Sequence, residues 1–81
     1  MKEWMVSKHM DLGTMGDFYV ERIICTPDNG QVVRAVYLGT YLRADGEKGP
    51  AIIEAHFTDA VVDDVDAILH AGWEEWSIEE V

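Results

Sequence analysis

The chain carries no lysine or arginine beyond Lys48. From residue 49 to 81 it holds nine acids (Glu54, Asp59, Asp63, Asp64, Asp66, Glu74, Glu75, Glu79 and Glu80) and no compensating base. The first 48 residues balance six Lys/Arg against seven acids, a sum of −1, so −9 of the net −10 falls in the last 33 residues. A one-signed segment of this kind repels nucleic acid and anionic membrane, and its field draws a basic partner.

Cysteine is nearly absent. One thiol, Cys25, excludes an internal disulfide and a cysteine-based zinc cage. In its strand context it reads as a small buried hydrophobe. Long apolar runs are missing too, so no stretch is suited to spanning a membrane. The opening Met-Lys-Glu-Trp-Met-Val-Ser-Lys-His has no continuous apolar core and predicts no signal peptide. A cytoplasmic, reducing setting is the expectation. Serine occurs twice, at Ser7 and Ser77, and neither lies in a nucleophile elbow. Gly13 and Gly16 are not followed by the Lys-Ser/Thr of a phosphate cradle. No catalytic residue, cofactor or resident metal is assigned, and the chain reads as a non-enzyme.

What is present is enough for one compact domain over residues 1–81. Its 48% hydrophobic content is too high for a disordered chain, and its length allows only one core. Strands are expected over about 3–10, 18–26, 31–43, 51–57 and 73–81. Pro27-Asp28-Asn29-Gly30 is the clearest turn in the chain, since proline presets φ and Asn-Gly accepts positive φ. Gly39 marks a bulge or bend in the long third strand.

A helix of about 14 residues is expected from an N-cap at Thr58, with Val61, Val62, Val65, Ile68 and Leu69 on its buried face. Gly72 is placed to end it as a left-handed cap, which would fold Trp73 back on Ile68. The fold class that follows is α+β: an antiparallel sheet of about five strands, β-β-β-β-α-β, order 5-1-2-3-4, with one helix on one face. Trp76 and Ile78 should point inward. Tyr19, Trp4 and either Tyr37 or Tyr41 are candidates for the open face.

On such a helix, Asp59, Asp63, Asp66 and His70 recur at spacings of 4, 3 and 4 and form one stripe, neighbours about 5–6 Å apart. The bland reading is a solvated helix face. The sharper one is a rigid row of fixed charges standing in for phosphates, which a protein built to bind nucleic acid would accept. His56, Asp66 and His70 are the alternative, a metal triad, but they match no zinc or calcium spacing. The last strand adds Glu74, Glu75, Glu79 and Glu80 around Trp73 and Trp76. It is either an edge kept soluble by charge or an acidic rim around an aromatic anchor.

The candidate partner-binding residues are therefore Asp59, Asp63, Asp66, Glu74, Glu75, Glu79 and Glu80. They point to a small acidic protein-binding module, an inhibitor occupying the basic surface of a nucleic-acid-binding protein. In size and charge the chain resembles the small acidic inhibitors that phages direct against bacterial defence, anti-CRISPR proteins among them. The alternative is a homodimeric structural or accessory domain joined through an aromatic sheet face.

Overall fold

The computed structural model describes residues 2–28, 31–61, 64–70 and 72–81. Five strands, β1 (Lys2–Asp11), β2 (Gly16–Asp28), β3 (Gln31–Arg43), β4 (Lys48–Val61) and β5 (Glu75–Glu80), form one sheet in the order β1-β2-β3-β4-β5. Every neighbouring pair is antiparallel. A 3-10 turn at Gly13–Met15 joins the first two strands, and a single short helix, α1 (Val65–His70), lies between β4 and β5. The molecule is mostly strand. Asp28 pairs with Gln31, so the hairpin expected at the Pro27–Gly30 turn forms with a two-residue connection.

Two expectations are corrected. The helix does not start at Thr58, because β4 runs on through Thr58 and Asp59 to Val61. This extension gives the beginning of β3 its second neighbour, with Val32 opposite Ala60 and Gln31 opposite Val61. β-Branched Thr58 and Val61 suit a strand better than a helix. The helix begins after Asp64, whose Oδ1 accepts the Ala67 N–H at 2.8 Å while its carbonyl accepts Ile68 N–H at 3.3 Å. That is the hydrogen-bond pattern of an N-cap. Gly72 is not among the positive-φ glycines. It therefore does not provide a left-handed cap, and Trp73 turns onto Tyr37 and Trp76, with ring centroids at 5.6 and 5.3 Å. Val62 and Asp63 lie outside the described residues.

The strand order is the second correction: β5 lies beside β4, not β1. In an alternating meander the fifth strand would run parallel to the first, which requires a crossover spanning the whole sheet. A six-residue helix is only about 9 Å long. The chain therefore turns back onto its last neighbour, where Trp76 meets Ala55 and Ile78 meets Ile53 on the core side.

The core lies on one face of the sheet. Phe18, Val20, Ile23, Cys25, Val32, Ala35, Tyr37, Ile53, Ala55 and Ile68 are buried there, with Tyr41, Ala51 and Phe57 at its margins. Trp4, Val6, Met10, Trp76 and Ile78 are half-buried and packed against it. Trp4, Tyr37 and Tyr41 therefore belong to the core side, and Tyr19 alone of the four open-face candidates lies on the opposite face.

Strict alternation along β2 could not bury both Phe18–Val20 and Ile23–Cys25. The register shifts by one residue between Val20 and Arg22 against β3, leaving Glu21 as the extra residue, and beyond it the core-facing parity changes. Gly39 sits opposite this bulge. A β-carbon there would lie 2.0 Å from the Tyr19 carbonyl oxygen, so the bulged strand requires glycine in its neighbour.

Two predictions follow from this packing. Gly39→Ala should lower unfolding stability by about 1–3 kcal/mol through overpacking, whereas Gly72→Ala, with nothing within 4 Å, should stay within about 0.5 kcal/mol; urea titration of both variants checks the contrast. The second concerns alkali. Burial pushes the Cys25 thiol from 9.0 to about 11, with Lys2 opposing the shift slightly. Burial pushes the Tyr37 hydroxyl from 10.0 to about 12, although the Trp73 hydrogen bond pulls it down.

Both groups stay neutral in the fold and ionise more readily in the unfolded chain, so their contribution to stability is level below about pH 9 and falls from there to about pH 12. A shift of two pH units corresponds to about 3 kcal/mol per group. Cys25→Ala should flatten the lower part of that fall when urea midpoints are measured against pH. An unchanged slope would show that the thiol is not its source.

Candidate functional site

Because β4 and β5 follow the sheet's alternation, the acidic candidates are divided between its two faces. Glu75 pairs with His56 and Glu79 with Ile52 on the outer face, while Glu80 pairs with Ala51 on the core side. Glu75 and Glu79 are four residues apart, about 13 Å along a strand. Glu74 is exposed just before β5, and its N–H donates to the His56 carbonyl at 3.0 Å. Asp66 is on α1, on the core side. Asp59 lies in β4 and not on a helix; its side chain, and all of Asp63, fall outside the described residues. The expected helical stripe of Asp59, Asp63, Asp66 and His70 is therefore not formed.

Basic residues of the first half reach several of these acids. Lys8 Nζ stands 3.7 Å from Asp66 Oδ1, and Arg43 stands 3.5 Å from Glu80 Oε2. On the outer face Arg34 Nε meets Glu54 Oε1 at 2.8 Å, His56 Nε2 lies 3.2 Å from the same oxygen, and Arg22 meets Glu3 at 2.9 Å. Each pair is solvent-exposed and contributes at most about 1 kcal/mol. Among the described residues, Glu74, Glu75 and Glu79 have no cationic partner within 4.0 Å.

His56, Asp66 and His70 do not converge. His56 is on the outer face beside Glu54, Asp66 is on the core side, and the His70 ring nitrogen Nδ1 contacts the Asp66 main-chain oxygen at 2.8 Å. Among the described residues no group of three His, Cys, Asp or Glu side chains is placed to hold a metal ion.

The outer face contributes residues that the candidate set omitted. Ile24, Val36, Leu38 and Ile52 form a half-buried apolar strip, by register Ile24 opposite Val36 and Leu38 opposite Ile52. Met5, 74% exposed, and Tyr19, 46% exposed, lie at its margin, and Tyr19 stacks on His9 with centroids 5.1 Å apart. His9 Nε2 in turn lies 2.6 Å from Asp17 Oδ1. The apolar strip leads directly to β5, since Ile52 is the neighbour of Glu79. Its signal in the sequence was the third strand, which is apolar on both alternating sides.

No protein-family model, curated protein or solved structure matches the chain.

Proposed function

We propose that this chain is a small, non-enzymatic, acidic protein-binding module that meets a basic protein surface along the β5 margin of its outer face. The observation that supports this reading most directly is the pair Glu75 and Glu79. They share one face of an edge strand, lack a cationic partner among the described residues, and adjoin the apolar strip that begins at Ile52. Apolar area bordered by unneutralised charge is the usual composition of a protein-binding surface. Lys and Arg on a partner gain little from acids that are already paired and more from acids that are not.

Proteins that bind nucleic acid present clustered Lys and Arg, so they are the partner class best suited to this margin. Occupying such a cluster would inhibit the partner by excluding its nucleic acid. The recognition element in this reading is an acidic strand bordering an apolar face, in place of a charged helical rod. A homodimer through the outer face is the second reading, favoured by the exposure of Met5 and Tyr19. Two copies would bring like-charged margins together, which weakens it.

The test is capture of partners from the native host at low and high salt, with wild type and with Glu75→Lys/Glu79→Lys. The expected result is a partner held at low salt, released at high salt and retained about tenfold less by the double variant, with the variant's circular dichroism unchanged. Retention of every partner by the double variant overturns the reading. Light scattering on the same samples tests the second: a dimer that persists at high salt and is lost on Tyr19→Glu would favour it.

A further inference from the structure

Among the described residues, β5 ends one side of the sheet and pairs only with β4. Val81 N–H donates to the Pro50 carbonyl at 2.9 Å. Backbone groups alternate in direction along an antiparallel ladder, so the N–H and C=O of Trp76, Ile78 and Glu80 are directed away from β4. The side chains alternate as well. Glu75, Ser77 and Glu79 lie on the outer face, while Trp76 and Ile78 are half-buried on the core side opposite Ala55 and Ile53. This edge therefore combines outward-directed peptide groups without a strand partner among the described residues, acids above them and incompletely covered apolar side chains below.

Resting on the acidic-module reading, we infer that the β5 edge accepts an extended basic segment of the partner as a sixth strand. Lys or Arg of that segment stand opposite Glu75 and Glu79 on the outer face, and its alternate apolar residues cover Trp76 and Ile78. Main-chain hydrogen bonds hold such an added strand, and the alternating side chains select it. Glutamates on an edge also keep away strands of their own sign, so the same residues exclude one segment and admit another.

A second copy of this chain fits poorly through β5 itself. β5 against β5 sets glutamates beside glutamates, a destabilising arrangement. The other edge strand, β1, carries Lys2 and Lys8 on its core side, opposite Cys25 and Val20. Parallel addition of β1 to β5 keeps those lysines on the Trp76 and Ile78 side, whereas antiparallel addition turns the second copy over and sets them on the Glu75 and Glu79 side. A β1–β5 oligomer of the free chain in light scattering therefore overturns the inference.

The experiment uses the full chain, isotopically labelled, and two synthetic peptides: one alternating Lys and Val, the other alternating Glu and Val. The Lys peptide should shift and protect from exchange the amides of Trp76, Ile78 and Glu80, and the Glu peptide should leave them unchanged. Two variants separate strand addition from charge attraction. Glu80→Ala removes the side chain alone, whereas Glu80→Pro also removes one outward N–H without breaking the β4 ladder, a substitution that an edge strand accepts.

Glu80→Pro should bind the Lys peptide about tenfold more weakly than Glu80→Ala, since main-chain hydrogen bonds carry the affinity in this mode. Equal binding by the two variants, shifts confined to other strands, or no response to the Lys peptide overturns the inference. Partner loss in Glu75→Lys/Glu79→Lys, with Glu80→Pro and Glu80→Ala retaining the partner equally, would leave the acidic module standing without strand addition.

Discussion

Among the described residues the core is buried on one face of the sheet, and that places a parity constraint on its long strands. In β2 the residues that must be buried are Phe18 and Val20 at one end and Ile23 and Cys25 at the other. These two pairs differ in parity. A regular strand would expose one of them, at a cost of about 1.5–3 kcal/mol for each large side chain left in water. The extra residue at Glu21 resolves the conflict, and Gly39 lets the neighbouring strand approach closely enough for the ladder to continue. β3 meets the same constraint with an extra residue at Val33, which brings Val32 and Ala35 to the same side. These two irregularities in the β2–β3 ladder, each one residue long, thus decide which side chains of β2 and β3 make the core and which remain on the outer face.

Much of the fold was legible because local chemistry determined it. The hairpin joining β2 to β3, the first four strands and the inward Trp76 and Ile78 follow from turn residues and alternation, and all are present, although Asn29 and Gly30 of the expected turn lie outside the described residues. The helix was misplaced because Val61, Val62, Val65, Ile68 and Leu69 satisfy a helical period while Thr58 and Val61 also satisfy a strand. What decided between them is nonlocal: the open side of β3 at Gln31 and Val32, which β4 fills. Either Tyr37 or Tyr41 is expected on the open face and neither lies there, because Glu21 and Val33 look like ordinary members of an alternating run. Only Gly39 left a trace of the bulge.

The acids were legible in number but not in position. Their separation along the sequence is undone in space, because the antiparallel meander lays the balanced half of the chain against the acidic half. Arg43 comes to Glu80, and Lys8 comes to Asp66. The gain from each exposed pair is small, yet the pairing removes those carboxylates from any coherent patch. The unpaired acids among the described candidates are then Glu74, Glu75 and Glu79, all at or next to β5.

The strand order decides what those three can do. Beside β1, the last strand would have stood next to Lys2 and Lys8, and the field of its glutamates would have been partly cancelled within the molecule. Beside β4, its neighbours are Ala51, Ile52, Ile53 and Ala55, with Glu54 already committed to Arg34 and His56. Lys2 and Lys8 and the unpaired glutamates therefore occupy opposite margins of one sheet, with three strands between them. Because both margins are edges, the charge difference coincides with the two places where the sheet can still form backbone hydrogen bonds. In the proposed strand addition, a partner strand would then be chosen by sign before any side-chain fit is tested, since long-range attraction acts before contact.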